Sequence, residues 1–432
     1  MTILTPHNIE SSLHPEEMPL LGPEELIPFV EHYFSRRRAY LKQLKNHTSF
    51  VYVLEPDVLL RRAEQFKKAF RRELSDSGFY FAVKSNNHPE VARTLLKSDF
   101  GLDVSSGLEL ETAIDVNSKE IIFSGPGKTS EELALAVRNS NRVTVLLDSF
   151  GELHRLEKTA SILKTKVRAG VRLTTNPNGL WRKFGIPPEK LTEFWQTART
   201  CPHVSLRGIQ FHTSWNLTAT SQTEYIAFLG ELLARTPDDL NKSFAFIDIG
   251  GGYWPKQGEW LHPSAMPQEM RQKTNRHLSD LSKIHFRYPA EPIDVFAQKI
   301  GQAIKRHIFP LTRCRICFEP GRWICNDSMH LLMTVVDQKG EDLVITDAGT
   351  NAVGWERFET DYFPVLNLTR PALTEKPCYI LGSLCTPHDV WGFSYFGRDI
   401  RVGDVLMIPT QGAYTYSLRQ NFIKPVPEVV IM

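Results

Sequence analysis

Between residues 79 and 322 one pattern recurs along the chain: a short apolar run, rich in β-branched and aromatic residues, ends in polar or glycine punctuation. The runs are FYFAVKS (79–85), GLDVSS (101–106), IIFSGPG (121–127), VTVLLDS (143–149), VRAGVRLTT (167–175), LRGIQFHTS (206–214), FAFIDIGGG (244–252) and RICFEPGR (315–322). Most are followed by helical periodicity, as in HPEVARTLLKSD, SEELALAVRNS and PIDVFAQKIGQAIKRH. A strand returns parallel to its neighbour only through a long crossover, here a helix, and such crossovers are right-handed. Eight such units in one run predict a closed sheet rather than an open one. The fold class predicted is α/β, a (β/α)8 TIM barrel.

A barrel alone takes about 250 residues, and the chain has 432. After residue 328 the texture changes. HLLMTVVDQKG, DLVITDAG, CYILGSLC, DVLMIPTQGAY and VPEVVIM read as strands with no long helix between them. The expected division is an N-terminal helical segment (1–48) packing on the β-domain, a barrel (49–328) and a C-terminal all-β domain (329–432). A long polar insertion at 254–285 follows the glycine triplet, and long loops on that face of a barrel are often functional.

Formal net charge is +2 in a chain 41% hydrophobic and 23% charged. That gives no electrostatic case for nucleic acid or for an anionic membrane. No apolar run reaches the roughly 20 residues of a spanning helix, and the first residues lack a basic start with an apolar stretch. A cytoplasmic address is predicted. Six cysteines do not make a disulfide framework. Cys314 and Cys317 form a CxxC, but no second pair lies at ligand spacing, so both read as small hydrophobes and no metal is expected.

The barrel architecture places chemistry at the C-terminal ends of the strands. There the runs present Lys84, Asp103, Arg172, His212, Gly250 to Gly252, and Glu319 with Arg322. Lys84 ends an apolar run. It could be a lysine whose stem lies on apolar surface, but an amine placed so deep is also suited to a Schiff base. Three glycines in IDIGGGY let backbone N–H groups approach a phosphate. GPGKT (125–129) is no P-loop, because residue 122, where the first glycine should stand, is Ile122; it reads as a strand-to-helix turn. His212 could be a satisfied core histidine. Glu319 ends an apolar strand and needs a cation, either Arg322 or a protonated ring nitrogen.

Taken in order, these motifs resemble the ornithine/diaminopimelate decarboxylase family. These are pyridoxal-phosphate (PLP) enzymes of fold type III, with an alanine-racemase-like barrel and a C-terminal β-domain. The likeness runs from roughly 45 to 425. AVKSN carries what looks like the PLP lysine, Lys84. GLDVSSGLE places Asp103 and Glu109, GVRL places Arg172, and KFGI places Lys183 to Gly185. FHTS places His212, which the family stacks on the cofactor ring, with Ser214 beside it. DIGGGY and EPGR look like two halves of a phosphate site, adding Gly321 and Arg322, and GAYTYS adds Tyr414. LGSLCTPHD places Cys385 and Asp389. The resemblance implies that Glu319 keeps the pyridine nitrogen protonated. It also implies that Cys385, supplied across a homodimer interface, returns a proton after CO2 leaves.

The departures concern substrate. Ornithine- and diaminopimelate-type enzymes carry an acid just after the cysteine. Here that residue is Thr386, followed by Pro387 and His388. The segment after TDAGTNAVG adds Trp355, Glu356 and Arg357, and Arg357 suits a carboxylate. The pattern looks closer to siderophore-pathway decarboxylases, which suggests a citryl–diaminopropionate-type substrate contacted by Thr386, His388, Asp389 and Arg357. The alternatives are a diaminopimelate-, ornithine- or lysine-type decarboxylase, a racemase, or a non-catalytic regulator derived from such enzymes.

Overall fold

In a computed structural model, residues 19–44, 47, 50–262, 284–354 and 361–432 are described. The chain divides into two compact units. One comprises Leu59–Lys256 with Glu291–Ile324; the other, Thr2–Val58 with Gln257–Ala290 and Cys325–Met432.

All the predicted runs of the first unit are strands: Ser77–Ala82, Gly101–Val104, Ile121–Phe123, Val143–Leu147, Val167–Arg172, Val204–Gln210, Phe246–Asp248 and Arg315–Phe318. Every pairing is parallel, and the last strand joins the first, with Ile316 opposite Ser77, to close the barrel. The predicted TIM barrel is therefore the observed one. Its interior is filled by Tyr80, Ile122, Leu146 and Cys317, with Phe246 packed against them. Gly208 makes room for that ring: a Cβ there would sit 2.5 Å from Phe246. Cys317 is thus a small barrel-filling residue. Cys314 is only half-buried, all six cysteines are free, and no metal-binding cluster occurs among the described residues.

Three successive helices, Gly107–Asp115, Ser130–Arg138 and Phe150–Ile162, begin on side-chain caps that also shape the rim. Ser106 Oγ accepts from Glu109 N at 3.3 Å, and Ser149 Oγ accepts from Glu152 N at 3.0 Å. The glutamates fold back in turn: Glu109 accepts from Ser105 N at 2.7 Å, and Glu152 from Asp148 N at 2.8 Å. Thr129 and Glu132 form a reciprocal capping box, and Glu132 also accepts from Gly107 N of the preceding helix. Each cap is worth about 1 kcal/mol. The lysine of GPGKT is structural, because buried Lys128 donates to the Gly125 and Leu146 carbonyls and to Glu152.

The second unit holds an eight-stranded, mostly antiparallel sheet. Its order is Leu343–Thr346, Glu375–Leu381, Val390–Phe396, Leu366–Asn367, Val405–Ile408, Met329–Lys339, Val51–Leu54, Glu428–Ile431. Helix Pro23–Leu44 lays Leu26, Val30, Tyr33 and Tyr40 on Val51, Val53, Leu332, Phe396 and Met407. The expected barrel start at 49 differs from the structure. Val51–Leu54 pairs with Met329–Lys339 and Glu428–Ile431 instead, so the division falls after Val58. Strands alone could not reveal this, since VYVL is apolar in either setting. Part of the 254–285 insertion also belongs to the second unit: Glu259–Leu261 pairs antiparallel with Phe286–Tyr288, and 263–283 lie outside the described residues.

Glu55 follows the misplaced strand and anchors this unit. It accepts from Arg36, from Tyr40 Oη at 2.7 Å and from His330 Nε2 at 3.0 Å. Thr410 N donates to His330 Nδ1, which leaves the imidazole proton on Nε2, facing Glu55. Burial alone would raise the Glu55 pKa, but the bonds from His330, Arg36 and Tyr40 outweigh it and hold the carboxyl down to about 2.

Candidate active site

The strand ends of the barrel bring the predicted residues of the first unit together. Lys84 sits in a single 3-10 turn, Val83–Ser85, after the first strand. The sequence suggested a deeply placed lone amine. The structure instead gives a side chain 37% exposed, its ammonium 2.9 Å from fully buried Asp103. Ser124 Oγ donates to the other Asp103 oxygen at 2.6 Å, fixing the carboxylate that holds the lysine. Glu109 is spent locally on Ser105 N, and burial pushes its carboxyl up despite that bond. Arg172 lies over the Phe184 ring at 4.6 Å, and Gly185 of the KFGI turn donates to Asp148 at 2.7 Å.

His212 is buried. Desolvation, with the Lys84 and Arg172 charges behind it, lowers its pKa well below the usual imidazole value, so the ring is neutral. Gly251 N donates to Nδ1 at 3.1 Å, which places the single proton on Nε2. Glu319 Oε2 lies 3.9 Å from the same nitrogen, and Gln210 Nε2 reaches the Glu319 carboxylate at 3.4 Å. Arg322 turns its guanidinium over the Trp254 ring at 4.2 Å, and the acids whose charges act on the Glu319 carboxyl are Asp103 and Asp248.

Of these acids, Asp248 escaped the sequence reading. It stands in FIDIGGG, an acid inside an apolar strand, the same signal that singled out Glu319. Gly250 N donates to Asp248 Oδ1 at 2.8 Å, while Oδ2 has no hydrogen-bond donor among the described residues. Burial, reinforced by Asp103, pushes the Asp248 carboxyl up to about 7. Burial and the charges of Asp103 and Asp248 push Glu319 well above the carboxylate range, and Lys84 and Arg172 reverse only part of this. Both acids are thus pushed toward the protonated form, and the surrounding positive charge offsets this only in part.

These features test a cofactor directly. A protonated ring nitrogen would add a cation to Lys84 and Arg172, whose charges offset only part of the cost of burying Glu319. Only glycine fits this segment, since a Cβ on Gly251 would fall 2.2 Å from the Glu319 carbonyl oxygen and Gly252 has φ +85°, and the Gly252 N–H, with no acceptor among the described residues, suits a phosphate. Lys84 offers the amine. The donor set fits PLP.

The second unit carries the other predicted residues. Cys385 is exposed, in the turn between strands Glu375–Leu381 and Val390–Phe396. Thr386 is half-buried and His388 exposed. Asp389, expected to touch substrate, instead builds the turn. It is buried, with Oδ1 accepting from Thr350 N at 2.7 Å and Oδ2 from Leu384 N at 2.6 Å. Tyr414 is half-buried in a left-handed backbone, φ +58°. Arg357, with Trp355 and Glu356, lies outside the described residues.

Fold and site together define a PLP-dependent barrel enzyme. Residues 57–326 match the family described as pyridoxal-dependent decarboxylase, pyridoxal binding domain, and the chain belongs to that family. It is 25% identical over 398 residues to the diaminopimelate decarboxylase of Campylobacter jejuni, covering 88% of this chain and 90% of that one. It is also 25% identical over 363 residues to the L-glutamyl-(BtrI acyl-carrier protein) decarboxylase of Niallia circulans, covering 78% of each. The crystal structure of diaminopimelate decarboxylase from Helicobacter pylori, complexed with L-lysine, superposes with a TM-score of 0.73 at 22% identity, over 91% of this chain and 94% of that one. The protein is a PLP-dependent amino-acid decarboxylase, a carboxy-lyase.

Proposed function

We propose that this decarboxylase acts on an amino-acid conjugate, a citryl–diaminopropionate-type intermediate of siderophore biosynthesis. The observation that carries the reading is the Cys385 turn. A free diamino acid brings a distal ammonium, which needs an anion once desolvated. The one carboxylate in Cys385–Asp389 is Asp389, and both its oxygens are committed to backbone N–H groups. Thr386 and His388 instead offer hydrogen-bonding groups but no carboxylate. An acylated amine carries no charge there, and citryl carboxylates suit Arg357. A relative named for a carrier-bound glutamyl substrate supports a family site that admits conjugates.

The residue roles belong to the same proposal. Lys84 holds the cofactor covalently, and Asp103 orients its amine. Glu319, with Asp248 behind it, keeps a proton at the ring nitrogen. Neutral His212 lies against the ring face. Ser214, Gly250 to Gly252, Gly321, Arg322 and Tyr414 would hold the phosphate, and Glu109 and Arg172 belong to the same cofactor-binding set. When bound, PLP supplies the electron sink for the carbanion left as CO2 departs. Cys385 then protonates that carbon. We place Cys385 across a two-fold homodimer interface. We also place the enzyme in the cytoplasm, in keeping with six free cysteines.

Mass spectrometry of the PLP-loaded enzyme tests the substrate, offering ornithine, lysine, meso-diaminopimelate and a citryl–diaminopropionate conjugate, with Lys84→Ala as control. Loss of CO2 from the conjugate alone is the expected result. Loss from a free diamino acid overturns it and makes the enzyme a diaminopimelate-, ornithine- or lysine-type decarboxylase. A normal cofactor spectrum with no CO2 loss from any substrate returns the question to a racemase, and failure to bind PLP to a regulator.

A further inference from the structure

The three glycines of Gly250–Gly252 do not offer three equivalent N–H groups. In a trans peptide the C=O and the following N–H point in opposite directions, so whatever holds the carbonyl aims the amide. Gly250 N is taken by Asp248, and Gly251 N by His212. Gly252 N has no acceptor among the described residues. Its direction is set by the carbonyl before it. Gly251 O accepts from Asn216 Nδ2 at 3.2 Å and from Gln222 Nε2 at 3.3 Å. Both side chains are buried, and Gln222 stands in helix Thr220–Leu233. Asn216 Nδ2 also donates to Thr213 O at 3.2 Å, and Asn216 N donates to Gly252 O at 3.0 Å. Both partners of the Asn216 amide are carbonyls, so its nitrogen must face them.

We propose that Asn216 and Gln222 are positioning residues that turn the Gly251–Gly252 peptide so that the Gly252 N–H points away from them, into the phosphate cradle. Glycine flanks make that peptide easy to rotate. Two side-chain donors on one carbonyl hold it, so that an anion meets an aligned N–H. This rests on reading Gly250–Gly252 as the cradle for the cofactor phosphate.

The test compares binding of PLP and of pyridoxal, which lacks the phosphate, to the apoprotein by fluorescence titration, with the 31P shift of bound PLP as a second readout. The near-isosteric variants are Gln222→Met and Asn216→Asp. Each should weaken PLP about tenfold, the size of one lost hydrogen bond, move the 31P resonance, and leave pyridoxal affinity within about twofold. Pyridoxal binding also reports that the barrel is folded. Equal losses for both ligands would make Asn216 and Gln222 merely structural and overturn the proposal, as would no change in either. Wild-type protein that binds pyridoxal as tightly as PLP would instead overturn the cradle reading, and this inference with it.

Discussion

Gly251→Ala is the sharpest steric test of the site. Gly251 does not have a positive φ, so backbone conformation is no obstacle to alanine there. The obstacle is contact alone. The added Cβ would lie 2.2 Å from the Glu319 carbonyl oxygen, and the next nearest atom, 3.2 Å away, is the Glu319 carbonyl carbon. Relief to an ordinary separation of about 3.2 Å needs roughly 1 Å of backbone movement. The Glu319 main chain has little slack, because its N–H is bonded to Gly250 O at 2.9 Å. Overpacking of this kind costs about 1–3 kcal/mol, or roughly 3–8 °C in Tm for a unit of this size. The movement also shifts the acid meant for the ring nitrogen, and misplacement by about 1 Å costs about a hundredfold in rate. Gly127→Ala is the control, since nothing lies within 4 Å of its Cβ. Thermal melts and PLP titration of both variants decide the matter. A Gly251→Ala protein that melts and binds PLP like the Gly127→Ala control would refute the reasoning.

Asp248→Asn should change the pH dependence of stability. The folded-state pKa of Asp248 is raised to about 7, so wild-type stability falls as pH rises from the unfolded carboxylate value through that point. The asparagine variant lacks that slope, and melts from pH 4 to 8 should favour it increasingly toward the alkaline end. Glu55 behaves in the opposite sense: its pKa is depressed to about 2, so its contribution is present above about 4.5 and disappears as pH falls through 2. Glu55→Gln should cost on the order of 3 kcal/mol in denaturant melts at pH 7, with the gap to wild type closing at low pH. Mixing Lys84→Ala with Cys385→Ala protein should restore about a quarter of wild-type activity, because half of randomly reassorted dimers carry one intact site. No recovery on mixing would place Cys385 in the same subunit's site.

The barrel could be read from the sequence because its strands are apolar on both faces and end abruptly in chemistry. The alternation survives as eight parallel pairings with no strand lost. The site residues that end strands, Lys84, Asp103, His212 and Glu319, were visible for the same reason. What stayed hidden was partnership. Nothing local distinguishes Val51–Leu54 as a strand of the other unit, because its partners Met329–Lys339 and Glu428–Ile431 lie hundreds of residues away. Asp389 looked like a ligand residue because spacing says which residue is near a cysteine but not where its oxygens point. Asn216 and Gln222 act through a neighbour's carbonyl, a relation that exists only once the loops have folded.

The first-turn glutamates that fold back on the rim have a wider consequence. Glu109 and Glu152 each tie a helix start to a strand end, and Glu132 ties its own helix start to that of the preceding unit. This arc of the barrel rim is therefore tied together, and a disturbance there is shared between neighbouring units instead of being absorbed locally. Substitutions among these acids should accordingly be non-additive. Elsewhere on the barrel, added chain leaves the sheet intact. The long excursion that begins just after Trp254 leaves the barrel closed, with Gln210 still opposite Asp248 and Asp248 opposite Cys317. New loops can be grafted at that mouth while the groups inside keep their spacing.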